Sequence, residues 1–443
     1  MSETVVKDDR GGDDRDGRDD IKRPDRPKLL QILGPGLITG ASDDDPSGIA
    51  TYSQAGAQFG YDLGWTLLLS FPLMCAIQEI SARIGRVTGR GIAGNLKRHY
   101  PVAVVYGLVT LLLAANTINL GADLGAMGAS LKLVIGGPAL LYVALFGLLS
   151  ILLEVFVRYS RYVSVLKWLS VCLFAYVGVA LVVHVPWATV AQRLVLPRLS
   201  FKVDYLTTVV AVLGTTISPY LFFWQAEEEV DEVKERRDAR PLERAPEQAK
   251  GEFHRIRIDT YLGMAFSNLV ALAIVVATAA TLNAHGVTNI QTSSQAAEAL
   301  RPIAGPLVFV VFALGVVGTG LLAVPVLAGS AAYAVGETFG WHVGLARKLN
   351  RAKAFYAIIA AATVIGVAMN FSTIDPIKAL FWSAVINGVV AVPVMVMMML
   401  LANRKDAMGD FTLTLPLRIM GWVATLAMAI AAIGMFATMG SQG

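Results

Sequence analysis

The feature that most constrains this chain is its succession of long apolar runs. Eleven stretches are long enough to cross a bilayer, at about 29–59, 63–86, 102–131, 138–157, 162–184, 205–226, 258–283, 305–337, 354–370, 376–402 and 416–440. They are called segments 1 to 11 below. Inside a bilayer each backbone N–H and C=O needs a partner in the chain itself, and helices supply one. The expected fold is therefore an all-α polytopic membrane protein. The 16% of charged residues agrees, since soluble domains carry about 25%. Mean hydropathy is +0.59.

Charge placement sets the expected orientation. With the N-terminus taken as cytoplasmic, 31 of the 37 Lys and Arg residues fall on the cytoplasmic side and 6 on the other. That excess predicts the N-terminus inside and the C-terminus outside. The positive residues lie in short loops, which reads as topology and not as nucleic-acid binding. Residues 1–28 are rich in Asp, Arg, Lys and Gly and are expected to form a disordered cytoplasmic tail. Residues 227–257 are the one sizeable polar stretch. Their mixed charge predicts a solvated helix continuing segment 6, with a regulatory metal sensor as the minor alternative. Cys75 and Cys172 lie in apolar segments and read as small buried hydrophobes.

Two segments carry helix breakers. Segment 1 contains Asp43-Asp44-Asp45-Pro46-Ser47-Gly48, and segment 6 contains Gly214-Thr215-Thr216-Ile217-Ser218-Pro219-Tyr220. A lone proline in a membrane helix is more often an ordinary kink. Here the two breaks fall at matching places in two five-helix halves of opposite orientation, 29–184 and 205–402, with 416–440 left over. Matched breaks in inverted repeats point to a transporter's central site. Unwinding frees carbonyls, and with a carboxylate these make an oxygen-rich cation site. An isolated Asp at the bilayer centre costs about 2.5–3.5 kcal/mol even on a lenient scale.

In a regular helix Asp43 and Asp44 would face about 200° and 100° away from Asp45. Either they line a vestibule, acting through water, or one pairs with an Arg. Asp123 lies between Gly121 and Gly125, a spacing that lets helices approach closely. It reads equally as a relay acid and as a buried hydrogen-bonded group. Glu79 with Arg83, and Glu154 with Arg158, are spaced as structural pairs. Asn387 in segment 10 is a candidate amide ligand. The five histidines, His99, His184, His254, His285 and His342, form no zinc-type spacing. No nucleophile–base grouping or nucleotide loop is present, so no enzyme is expected.

These residues resemble the NRAMP family of divalent metal transporters. The likeness runs from Gly34-Pro35-Gly36 through Asp45-Pro46, Ala50-Thr51 and Gln54–Tyr61 to Gly85 and Val87-Thr88-Gly89. It returns at segment 6 and at Arg404–Gly409. The resemblance implies a LeuT-like 5+5 inverted repeat plus one C-terminal helix, with helices 1 and 6 broken. It also implies a metal site. The family's segment 1 reads Asp-Pro-Gly-Asn; here Asp45 and Pro46 match, Ser47 stands for the glycine and Gly48 for the asparagine. The family's segment 6 reads Ala-x-x-Met-Pro-His; here Thr215, Ser218 and Tyr220 replace the alanine, methionine and histidine. Gln225 stands for a second family histidine, and Asp123 lies near the place of a proton-handling glutamate.

The methionine thioether favours transition metals, whereas hydroxyl oxygens suit magnesium or calcium. Magnesium also keeps several waters. The pattern resembles the NRAMP-related magnesium transporters. The expected function is uptake of a hydrated divalent cation, magnesium favoured, without proton coupling. Asp45, Thr215, Ser218 and Gly48 form the expected site. Asp43, Asp44, Ser47, Tyr220 and Asn387 are further candidates, and Asp123 and Gln225 possible relays. The alternatives are a proton-coupled manganese or iron importer, or a related transporter of a non-metal solute. No cofactor other than the transported ion is expected. The expected setting is the inner membrane of a prokaryote, with the chain acting as a monomer.

Overall fold

A computed structural model of the chain describes residues 39–40, 42–157, 171–236, 238–345, 347, 349–372 and 374–440. The N-terminal tail, the start of segment 1 with Gly34-Pro35-Gly36, and residues 158–170 with Arg158 lie outside it. All regular structure among the described residues is helical. Segments 2, 3, 4, 6, 7, 8, 10 and 11 each form an apolar helical stretch long enough to cross a membrane, and segment 9 forms the shorter helix Lys353–Met369. Segment 1 is described from Thr39, and segment 5 as the turn Val171–Leu173 and the helix Phe174–Val182.

Proline position separates kinks from breaks. Pro72, Pro325 and Pro393 sit inside continuous helices. Pro46 and Pro219 instead open new helices, Pro46–Phe59 and Pro219–Glu235, at the first turn where a missing N–H costs nothing. Segment 6 is thus two helices, Val203–Thr216 and Pro219–Glu235, joined through the non-helical Ile217 and Ser218.

Burial orders the segments. The most apolar window of segment 6 is 94% buried, while those of segments 4 and 11 are 22% and 33% buried. Segment 6 is central, and segments 4 and 11 form the lipid-facing rim. Segments 3 and 8 make the most extensive helix pair. Small residues permit close approach elsewhere. A Cβ on Gly121 would sit 3.0 Å from the Gly366 carbonyl of segment 9, and one on Gly214 would sit 2.2 Å from the Ala384 carbonyl of segment 10.

The 227–257 region departs in part from expectation. Its first part does continue the Pro219 helix to Glu235, but it is not wholly solvated. Glu227 and Glu229 expose 1% and 0%. The Leu242 and Glu243 amides donate to the Arg86 and Val87 carbonyls at the end of segment 2. Arg86, Arg236 and Arg255 pair with Glu229, Glu232 and Glu252 across this junction. Part of the charge is paired inward across this junction, while Lys234, Asp238, Arg240, Glu243, Arg244, Glu247, Lys250 and Arg257 are exposed as a solvated stretch would be. Arg83 donates to Glu79 at 2.6 Å, as a structural pair would. Glu154 is buried with no hydrogen bond to either carboxylate oxygen. Both cysteines are free, Cys75 buried and Cys172 half-buried.

Candidate metal site at the two breaks

The break in segment 1 is organised by Asp45. Ser42 and Asp43 are helical, Asp44 bends, and Asp45 is extended (φ −69°, ψ 169°). Its carboxylate caps the following helix by accepting from the Gly48 amide at 2.6 Å, which satisfies one of the open donors at a helix start. Its other oxygen accepts from Asn119 Nδ2 of segment 3 at 3.0 Å and from the Tyr220 hydroxyl of segment 6 at 3.3 Å. One carboxylate therefore ties three segments together.

The break in segment 6 satisfies itself. Pro219 has no N–H, so the Thr215 carbonyl loses its helical donor. The Ser218 hydroxyl lies 2.7 Å from the Gly214 carbonyl and 2.8 Å from the Thr215 carbonyl, within donating distance of both. Thr215 is buried beside it. Thr215 and Ser218 thus place oxygens at the break, with no hydrogen bond to Asp45.

Asp43 and Asp44 meet at Ser267 of segment 7. The Ser267 hydroxyl lies 2.5 Å from Asp43 Oδ2 and 3.2 Å from Asp44 Oδ1. The Arg pairing considered for these acids is not observed; neither forms an ion pair among the described residues. Asp123 comes within electrostatic reach of Asp45 and near the Ser47 amide, and no side chain among the described residues hydrogen-bonds to it. Asp43, Asp44, Asp45 and Asp123 expose at most 2%. Four buried carboxyls with no basic partner among the described residues are a strong attractor for a cation, because desolvation makes an uncompensated charge costly.

Some candidates stand elsewhere. Ser47 turns toward segment 10, donating to the Leu380 carbonyl at 2.9 Å and lying 3.1 Å from Ser383 Oγ. As the second residue of the new helix it projects away from the Asp45 carboxylate. Gln225 accepts from Thr39 at 2.5 Å and joins no carboxylate. Asn387 is buried, and its carbonyl oxygen has no hydrogen-bond partner. Gly48 fits its expected place: a Cβ there would lie 3.4 Å from Asp45 Oδ1 and 3.3 Å from Tyr52 Cε2. Any side chain at position 48 would start beside the ligand carboxylate.

Three contributors were not singled out from sequence. Asn119 lies four residues before Asp123, one helical turn away, so its face was legible. Tyr52 lies one turn after Gly48, is fully buried, and its hydroxyl has no partner. Ser267 carried no signal beyond being a lone hydroxyl in an apolar run. The site is closed in this conformation. A cavity of about 10 Å3 lies beside Pro46, lined by Ile49, Ala126, Ser130, Phe312 and Leu380, roughly room for one water. Among the described residues no three His, Cys, Asp or Glu side chains converge as a preformed metal cluster.

Residues 36–438 match the Nramp family, described as natural resistance-associated macrophage protein-like. The chain belongs to the Nramp family. A relative in Burkholderia ambifaria, the divalent metal cation transporter MntH, is 28% identical over 408 residues, covering 90% of this chain and 86% of that protein. The MntH of Deinococcus radiodurans is 26% identical, covering 89% and 87%. The Eremococcus coleocola manganese transporter superposes with a TM-score of 0.71 at 17% identity, covering 95% of this chain and 89% of that one. Mhp1, a transporter of the nucleobase-cation-symport-1 family, reaches 0.56 at 13% identity. This Nramp chain therefore has the LeuT-like transporter fold, and its relatives are transporters and not enzymes.

Proposed function

We propose that this Nramp chain carries a divalent metal cation across the membrane between the breaks of segments 1 and 6, with magnesium favoured and no proton coupling. The observation that carries the reading is the Asp45 carboxylate at the break. It is buried, has no basic partner among the described residues, and lies beside the hydroxyl-lined break of segment 6. Its surroundings offer carboxylate, hydroxyl and carbonyl oxygens, the hard donors that suit magnesium. No thioether stands at the position of the family's methionine, and Gly48 leaves the place of the family's amide open. The closed site has no space for an ion with its water shell, so loading requires one bundle to rock away from the other.

The second reading is a proton-coupled manganese importer. It is favoured by the relatives named MntH and by Asp123, a buried carboxyl close to Asp45. The test is a proteoliposome flux assay with magnesium and manganese side by side and a pH dye inside. Magnesium flux without acidification supports the first reading. Manganese flux with acidification supports the second.

A further inference from the structure

Away from the ion site, two carboxyls meet at the end of the helices that the charge bias assigns to the cytoplasm. Glu337, near the end of segment 8, accepts from the Gly91 amide at 2.7 Å through one oxygen and from the Gly94 amide at 2.7 Å through the other. Those amides open the helix Ile92–His99, where the exposed N–H groups and the helix dipole favour a negative charge. Glu227, in the second half of segment 6, points at the same place. A Cβ on Gly91 would collide with Glu227 Oε1 and lie 2.6 Å from Glu337 Oε2. One point beside Gly91 thus lies within 3 Å of an oxygen of each carboxyl, so the two carboxyls are neighbours.

Glu227 is 1% exposed, and among the described residues no donor reaches either of its oxygens. Lys234 attracts both carboxyls, but no cation forms an ion pair with Glu227 among the described residues. Lys234 pairs with Asp231 at 2.9 Å, the Tyr333 hydroxyl also donates to Asp231, and Arg90 faces Glu337 from the linker. Two ionised carboxylates buried side by side repel and cannot hydrogen-bond. One proton converts the pairing into a short, charge-assisted hydrogen bond. Glu337 already has two donors, so the proton belongs on Glu227.

We propose that a protonated Glu227 donates to Glu337, forming a clasp that holds the cytoplasmic ends of segments 6 and 8 and the Gly91–Gly94 linker together. The clasp joins two packing groups: the Pro219–Glu235 helix lies chiefly on segment 2, and segment 8 chiefly on segment 3. Losing the proton places two negative charges side by side and drives these groups apart. The inference rests on the transporter reading for its meaning as a gate. It gives a flux that depends on cytoplasmic pH without any proton moving with the ion.

The test uses the full chain in lipid vesicles. Infrared difference spectra of the wild type against Glu227→Gln should show the carbonyl stretch of a protonated carboxylic acid in the wild type alone. Amide exchange at Gly91 and Gly94, corrected for its intrinsic pH dependence, should speed up about tenfold as pH rises, the effect of losing one charge-assisted hydrogen bond. Exchange in Glu227→Gln should be flat, because the amide donates at every pH. Glu337→Gln should raise exchange at all pH values and serves as a second variant if the first folds poorly. A spectrum without the acid band, or wild-type exchange that stays flat with pH, overturns the clasp. Neither readout needs ion transport, so a failed flux assay alone would remove the transporter reading and leave the clasp standing.

Discussion

Arg86 offers the clearest quantitative test of how the polar junction holds. Its side chain is fully buried at the end of segment 2, forms no hydrogen bond, and pairs with Glu252 at 3.1 Å. Glu252 also serves Arg236 at 3.1 Å and Arg255 at 2.8 Å. Those two arginines keep other partners, Glu232 and Asp238 for Arg236 and Glu229 and Glu232 for Arg255. Glu252→Gln therefore removes the one ion pair of Arg86 among the described residues, leaving it only the longer-range attraction of Glu229 and Glu232. Leaving one member of a buried pair unmatched costs about 3–5 kcal/mol. Unfolding entropy near 2.1 cal/mol/K per residue, over about 400 residues, converts this to a Tm loss of roughly 4–6 °C. Scanning fluorimetry of the purified protein in detergent measures it. Arg86→Met in the Glu252→Gln background should recover most of the loss, because removing both charges leaves nothing stranded. A Tm unchanged in Glu252→Gln, or a double variant worse than the single, would refute the argument.

Three further outcomes concern the site. Asp45→Ala should abolish magnesium flux in proteoliposomes while the protein stays folded; unchanged flux would remove Asp45 as a ligand. Gly48→Asn restores the family's amide at contacts of 3.3–3.5 Å. It should shift manganese-to-magnesium flux upward by about tenfold, or about 1.4 kcal/mol, and alter stability by less than about 1 kcal/mol; an unchanged ratio would detach selectivity from position 48. Ser267→Ala takes the hydroxyl shared by Asp43 and Asp44 and should lower flux at constant expression. Equal flux would make that hydroxyl a bystander.

Much of the fold was legible because membrane burial writes itself in long runs. Several segment boundaries came within a few residues, as at Pro376 and Ala402, whereas the helices of segments 6 and 7 run on into the polar stretch, to Glu235 and from Ala249. The two breaks were legible because proline at the start of a helix differs chemically from proline within one. Side-chain direction was not. Ser47 sits inside the matched motif yet faces segment 10, since one residue along a helix turns a side chain by about 100°. Ser267 and Asn119 act from segments distant in sequence, and only packing brings them to the acids. Residues 227–257 misled in part for a related reason. Mixed charge looks solvated until the partners are known, and here part of it pairs inward across the segment 2 junction.

The self-satisfied break in segment 6 bears on the transport cycle. A carrier driven only by its substrate's gradient has to return empty after every delivery. An empty return is slow when the vacated site leaves carbonyls without partners in a dry interior. Here the Ser218 hydroxyl reaches the Gly214 and Thr215 carbonyls. The carbonyls at this break therefore have a partner in the chain itself, so on the proposed uncoupled reading the return stroke would not leave them bare.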